Sequence, residues 1–99
     1  MLKNQVGVTN ELVKALVSIT DEGQMFDFLR DLLTENEMEN LAVRLKCAYL
    51  LHSGKTYTKV IEETKLSSTT LSRISRCLRQ GTGYNAMLDK HDEAVKPKD

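Results

Sequence analysis

The chain has no tryptophan, one proline, two cysteines and only 5% aromatic residues. The proline stands at Pro97, so nothing in the body of the chain forbids helix. Cys47 and Cys77 are at no metal-binding or redox spacing, which leaves two half-buried thiols as the expectation rather than a zinc site or disulfide framework. No apolar run approaches the roughly 18 residues needed to cross a bilayer, so no membrane partner is expected. The first residues lack the basic-then-apolar pattern of a secretory leader, and the expected location is the cytoplasm. Catalytic constellations are missing too. His52 and His91 are isolated from carboxylates and cysteines at ligand or triad spacing. There is no glycine-rich phosphate loop. The expectation is a protein that is not an enzyme and holds no metal.

The formal net charge is zero, but the charges are segregated. Between Leu41 and Gln80 the eight basic residues Arg44, Lys46, Lys55, Lys59, Lys65, Arg73, Arg76 and Arg79 face only Glu62 and Glu63, a net of +6. Residues 1–40 carry −5 and residues 81–99 carry −1. A basic middle between acidic ends suits one polyanion-binding face on a body that repels polyanions. Chance clustering on a solvated surface would look the same, so charge alone does not decide.

Apolar residues recur at helical spacing nearly throughout, and no alternating β-branched run of strand length occurs. The fold class is therefore all-α, with about six helices in one domain over residues 1–92 and a charged, flexible tail over 93–99. The first helix is expected from Asn10 to Ile19, capped by Thr9. The second, about Glu22 to Leu33, carries Met25, Phe26, Phe28, Leu29, Leu32 and Leu33 around most of its girth. A helix that apolar needs cover on several sides, which a chain of 99 residues supplies poorly on its own. A homodimer follows. Thr34 and Glu37 form a capping box opening a third helix, with Met38, Leu41, Leu45, Ala48 and Leu51 or Tyr49 on its stripe and Gly54 closing it. His52 at its end suits the helix dipole. A last helix is expected from about Tyr84 to Asp92.

Residues 56–80 carry the functional signal. A fourth helix from Thr56 shows Tyr57, Val60, Ile61 and Thr64 on one side. The turn Lys65-Leu66-Ser67 leads to a fifth helix, capped by Ser67 or Ser68. Leu66 packing with Val60, Leu71 and Ile74 would pin the two helices at a fixed angle, the mark of a helix-turn-helix. Leu71, Ile74, Cys77 and Leu78 point inward at helical spacing, and Thr69, Ser72, Arg73, Arg76 and Arg79 point outward. A helix that merely faces water mixes Glu with Lys. This one has no acid at all. Hydroxyls near its start and arginines further along suit contact with phosphates and base edges in a major groove. Ser67 and Ser68 at its N-terminus suit a phosphate. Lys55, Thr58, Lys59 and Lys65 would grip the backbone on either side. The alternative is a dimeric interaction module whose basic helix docks on an acidic protein or RNA.

At Leu33-Thr34, Arg44 and the run from Ser67 to Arg73 the chain resembles the tryptophan-repressor superfamily, and within it the YerC/YecD-type branch. The resemblance covers about Met25 to Lys90. It implies an intertwined six-helix homodimer, a DNA-binding transcriptional repressor whose two fifth helices address successive major grooves of a near-palindromic operator. Related sequences carry alanine where Ile61 stands and glycine where Lys65 stands, so Lys65 is expected in a left-handed or adjusted backbone. The family's tryptophan pocket implies roles for Arg44 and Arg73 as the arginine pair and for Leu33 and Thr34 as its floor. Ile74 then stands at the pocket's glycine and Cys77 at its serine. A branched side chain fills the place of the indole, so no cofactor is expected, any small-molecule effector stays unnamed, and Arg44 is read as pairing with an acid or a helix end.

Overall fold

A computed structural model describes the backbone of residues 5–95 and the side chains of residues 6–90. The described chain is helical: α1 (Gln5–Ser18), α2 (Glu22–Leu32), α3 (Glu35–His52), α4 (Tyr57–Thr64), α5 (Ser68–Gln80) and α6 (Gly83–Val95). Contacts divide it into two compact units, Met1–Met38 and Glu39–Asp99, with the boundary inside α3.

In the first unit α1 begins earlier than expected, and Thr9 lies inside the helix rather than capping it. Val6, Val13 and Val17 repeat at seven and four residues, so an apolar stripe continues upstream of Thr9 and intrahelical bonding prevails over the cap. Asp21 caps α2, its Oδ2 accepting the Gln24 amide at 2.8 Å. No side chain between residues 6 and 38 is buried. Phe26 and Leu32 are half exposed, and the Arg30 guanidinium lies 5.7 Å from the centre of the Phe26 ring. The expected capping box is formed: Glu37 Oε1 accepts the Thr34 amide at 2.9 Å, and Thr34 Oγ1 accepts the Glu37 amide at 3.1 Å. Hydrogen bonding from the Thr34 amide, and then from the Thr34 hydroxyl, holds the Glu37 carboxyl below the usual carboxylate range.

The second unit has the core. Cys47 and Ala48 of α3, Val60 of α4, Leu71 and Ile74 of α5 and Leu88 of α6 are buried together, with Leu66, Leu78, Tyr84 and Met87 packed against them. Cys47 is wholly buried rather than half-buried, and the loss of water pushes its thiol pKa up. Cys77 is half-buried as expected. Gly54 ends α3 at φ 96, where its amide meets the Leu51 carbonyl at 3.1 Å and the Lys55 amide reaches the Leu50 carbonyl at 3.0 Å. That pair of bonds is a Schellman closure, and the positive φ is why glycine stands there. His52 is the last residue of α3, with its Nε2 3.8 Å from Asp89 Oδ1 of α6. The side chain of His91 lies outside the described residues. Helix α6 continues to Val95, three residues past Asp92 and into the segment read as a tail; residues 96–99 lie outside the described residues.

Candidate nucleic-acid interface

Two short helices and a turn shape the site. Thr56 caps α4, its Oγ1 accepting the Lys59 amide at 3.3 Å. The helix stops because Lys65 turns into the left-handed region at φ 61 and ψ 17, while its amide still bonds the Ile61 carbonyl at 2.8 Å. Lys65 is the only described residue other than glycine with positive φ. The chain then steps through Leu66, whose amide meets Thr64 Oγ1 at 3.3 Å. Ser67, not Ser68, caps α5: its Oγ accepts the Thr70 amide at 3.2 Å and donates to Thr70 Oγ1 at 3.1 Å. Val60, Leu71 and Ile74 are buried and Leu66 packs on them, so the expected clamp of the helix-turn-helix is present.

The far end of α5 closes by close approach. The Gly81 amide donates to the Cys77 carbonyl at 2.8 Å, and a Cβ on Gly81 would sit 2.7 Å from that oxygen. Asn85 Nδ2 bonds the Leu78 carbonyl at 2.7 Å and the Gly81 carbonyl at 3.2 Å. Its spacing from α5 gave no sign of this tie, because it depends on how α6 returns along the helix.

With Leu71 and Ile74 turned into the core, the outward arc of α5 holds Thr69, Ser72, Arg73, Arg76 and Arg79, all exposed. With Thr70 these residues line one open depression. Lys55, Thr58, Lys59 and Lys65 are exposed at the start of α4 and in the turn. Ser68 is exposed in the first turn of α5, whose leading amides have no intrahelical partner. The expected set of Lys55, Thr58, Lys59, Lys65, Ser67, Ser68, Thr69, Ser72, Arg73, Arg76 and Arg79 therefore belongs to one helix-turn-helix, but Ser67 spends its hydroxyl on the cap. Sequence reasoning missed two residues here. Tyr57 donates its hydroxyl to Ser75 Oγ, and Arg79 Nη1 donates to the same oxygen at 2.8 Å. Ser75 was read as neither inward nor outward, yet it is buried.

The residues of the expected effector pocket are divided between the two units. Leu33 is the half-buried C-cap of α2, and Thr34 is committed to the capping box. Arg44 and Arg73 are exposed in the second unit. Arg44 is exposed on α3 and makes no ion pair among the described residues. Ile74 is 3% exposed, and its branched side chain is part of the core. Where a glycine would leave room for an indole plane, this chain has packed hydrocarbon.

Comparison with known proteins gives a consistent picture. The profile of the Trp repressor protein family matches residues 8–92. A Bacillus subtilis (strain 168) protein known as Uncharacterized protein YerC is 39% identical over 85 residues, covering 85% of this chain and 82% of its own. The crystal structure of a candidate Trp repressor from Staphylococcus aureus superposes with a TM-score of 0.80 at 28% identity, over 93% of this chain and 96% of that one. A TrpR-like protein from Eubacterium eligens ATCC 27750 superposes with a TM-score of 0.82 at 30% identity, over 97% and 98% of the two chains.

Proposed function

The chain belongs to the Trp repressor protein family, and from that membership we propose that it is a sequence-specific DNA-binding regulator of transcription. It acts as a homodimeric repressor that lays α5 into the major groove of double-stranded DNA. The observation that carries this reading is the outward arc of α5, where three arginines and two short hydroxyl side chains stand exposed with no acid in the helix. Thr69 and Ser72 allow close approach to the groove floor, and Arg73 and Arg76 have the fork that bonds guanine edges. Lys55, Thr58, Lys59, Lys65 and Ser68 contact phosphates on either side, which fixes register without reading sequence. A dimer carries two such heads, so the operator is a near-palindrome with half-sites roughly 34 Å apart. The work is binding rather than catalysis, and its place is the cytoplasm, where the chromosome of a bacterial relative is found.

Salt dependence tests the proposal. Duplexes selected from a random pool should be retained at low salt and lost steeply by moderate salt, because each phosphate contact releases a counterion. Retention that ignores salt, or that is equal for single-stranded RNA or an acidic protein, would sink the DNA reading in favour of a protein- or RNA-docking module.

A further inference from the structure

Ser75 is the one polar side chain buried among the described residues, 8% exposed on the inner side of α5. Its Oγ receives two donors. Tyr57, the first residue of α4, donates its phenolic hydroxyl, and Arg79, one turn further along α5, donates Nη1 at 2.8 Å. A guanidinium has no acceptor, so Ser75 must accept from Arg79, and the Tyr57 hydroxyl can then fill the second lone pair. A bond with an ionised donor is stronger than a neutral one, and a chain of bonds polarises its members. The result is a continuous link from the packing of α4 on α5 to a cation on the exposed arc. Arg79 folds back along the helix as part of this link. Arg73 and Arg76 share its open depression but make no hydrogen bond or ion pair among the described residues. One arginine of the three is anchored.

We propose that Tyr57 and Ser75 are positioning residues that hold the Arg79 guanidinium as a pre-ordered contact for the DNA backbone. The proposal rests on the reading of α5 as the groove helix. Base edges are met mainly by the N-terminal part of such a helix, whereas its last turn lies nearer the phosphates. Arg79 is in that last turn. A side chain ordered before binding loses less freedom on binding, so anchoring it raises affinity without adding a contact. Arg73 and Arg76 stay mobile and adapt to the bases, while Arg79 sets the register at which they arrive.

Two measurements test this. In the free protein, 15N relaxation of the arginine Nε–Hε groups should show Arg79 more restricted than Arg73 and Arg76, and released to their level in Tyr57→Phe and in Ser75→Ala. Equal mobility of the three in the wild type overturns the proposal. On duplexes selected from a random pool, Tyr57→Phe should raise Kd roughly threefold to tenfold in the wild-type background but less than about twofold in an Arg79→Ala background. Base preference should be unchanged in both. An equal loss in the two backgrounds means a merely structural role, and a changed base preference means Arg79 reads bases; each overturns the proposal. If the wild type binds no duplex, the DNA reading fails and the proposed role of Arg79 with it, while the relaxation data still report whether the anchor exists.

Discussion

Lys65 shows at the scale of one residue how fold and function compete. It holds φ 61 in the turn, where a side chain with a Cβ is strained and glycine is not. It is also an exposed cation beside the proposed interface. Lys65→Gly should stabilise the fold by roughly 0.5 kcal/mol, read from the denaturant midpoint, because relief of strain outweighs the added freedom of the unfolded chain. The same change should weaken binding to every duplex. A gain in both stability and affinity would show that the cation plays no part. Arg76 and Lys59 should separate two kinds of contact. Arg76→Ala should remove roughly 1–3 kcal/mol of discrimination at one base position. Lys59→Ala should weaken all duplexes alike and reduce the salt slope by about one. Binding measured against a panel of single-base variants at several salt concentrations reads both.

Elements are held mainly by their ends. Thr34 with Glu37, Thr56 and Ser67 each cap a helix start, and Gly54 and Gly81 serve helix ends by different means, one through positive φ and the other through close approach. The start of α3 has a pH signature. The Glu37 carboxyl titrates below its ordinary 4.5 in the folded chain. A depressed folded value means its contribution is fully present above the unfolded value and is lost as pH falls through the folded one. Glu37→Gln keeps an oxygen for the Thr34 amide but removes the titration. Denaturant midpoints taken between about pH 6 and pH 3 should fall less steeply for Glu37→Gln than for the wild type. Parallel curves would assign the acid sensitivity to other carboxylates.

At the scale of the molecule the described residues of the first unit, 6–38, have no buried side chain. Val17 is 74% exposed and Phe26 56%. Apolar surface of this extent calls for a partner, and a second copy is the partner the proposed function requires. Sedimentation equilibrium at micromolar concentration should give twice the 11.2 kDa mass of one chain. Phe26→Asp should shift the mass toward one chain and lower the helix content. A wild type that sediments as a single chain would remove the paired reading heads from the proposal.

The sequence by itself determined the helical class, the capping box, the turn at Lys65 and the inward and outward residues of α5. These depend on spacing and on neighbours a few residues away, and such information is local. It misplaced the start of α1 because a threonine before a periodic stretch looks like a cap whether or not the stripe continues upstream. Only the tertiary structure decided the rest. Ser75 looks like any exposed helical serine until α4 brings the Tyr57 hydroxyl to it, and Asn85 becomes a cap for α5 only because α6 returns beside it. Ile74 shows both sources at once: its spacing marks it as inward, and the fold decides that it packs with Val60 and Leu71 in the core. Such contacts join residues far apart in the chain, and only the packing of helices against one another brings them within reach.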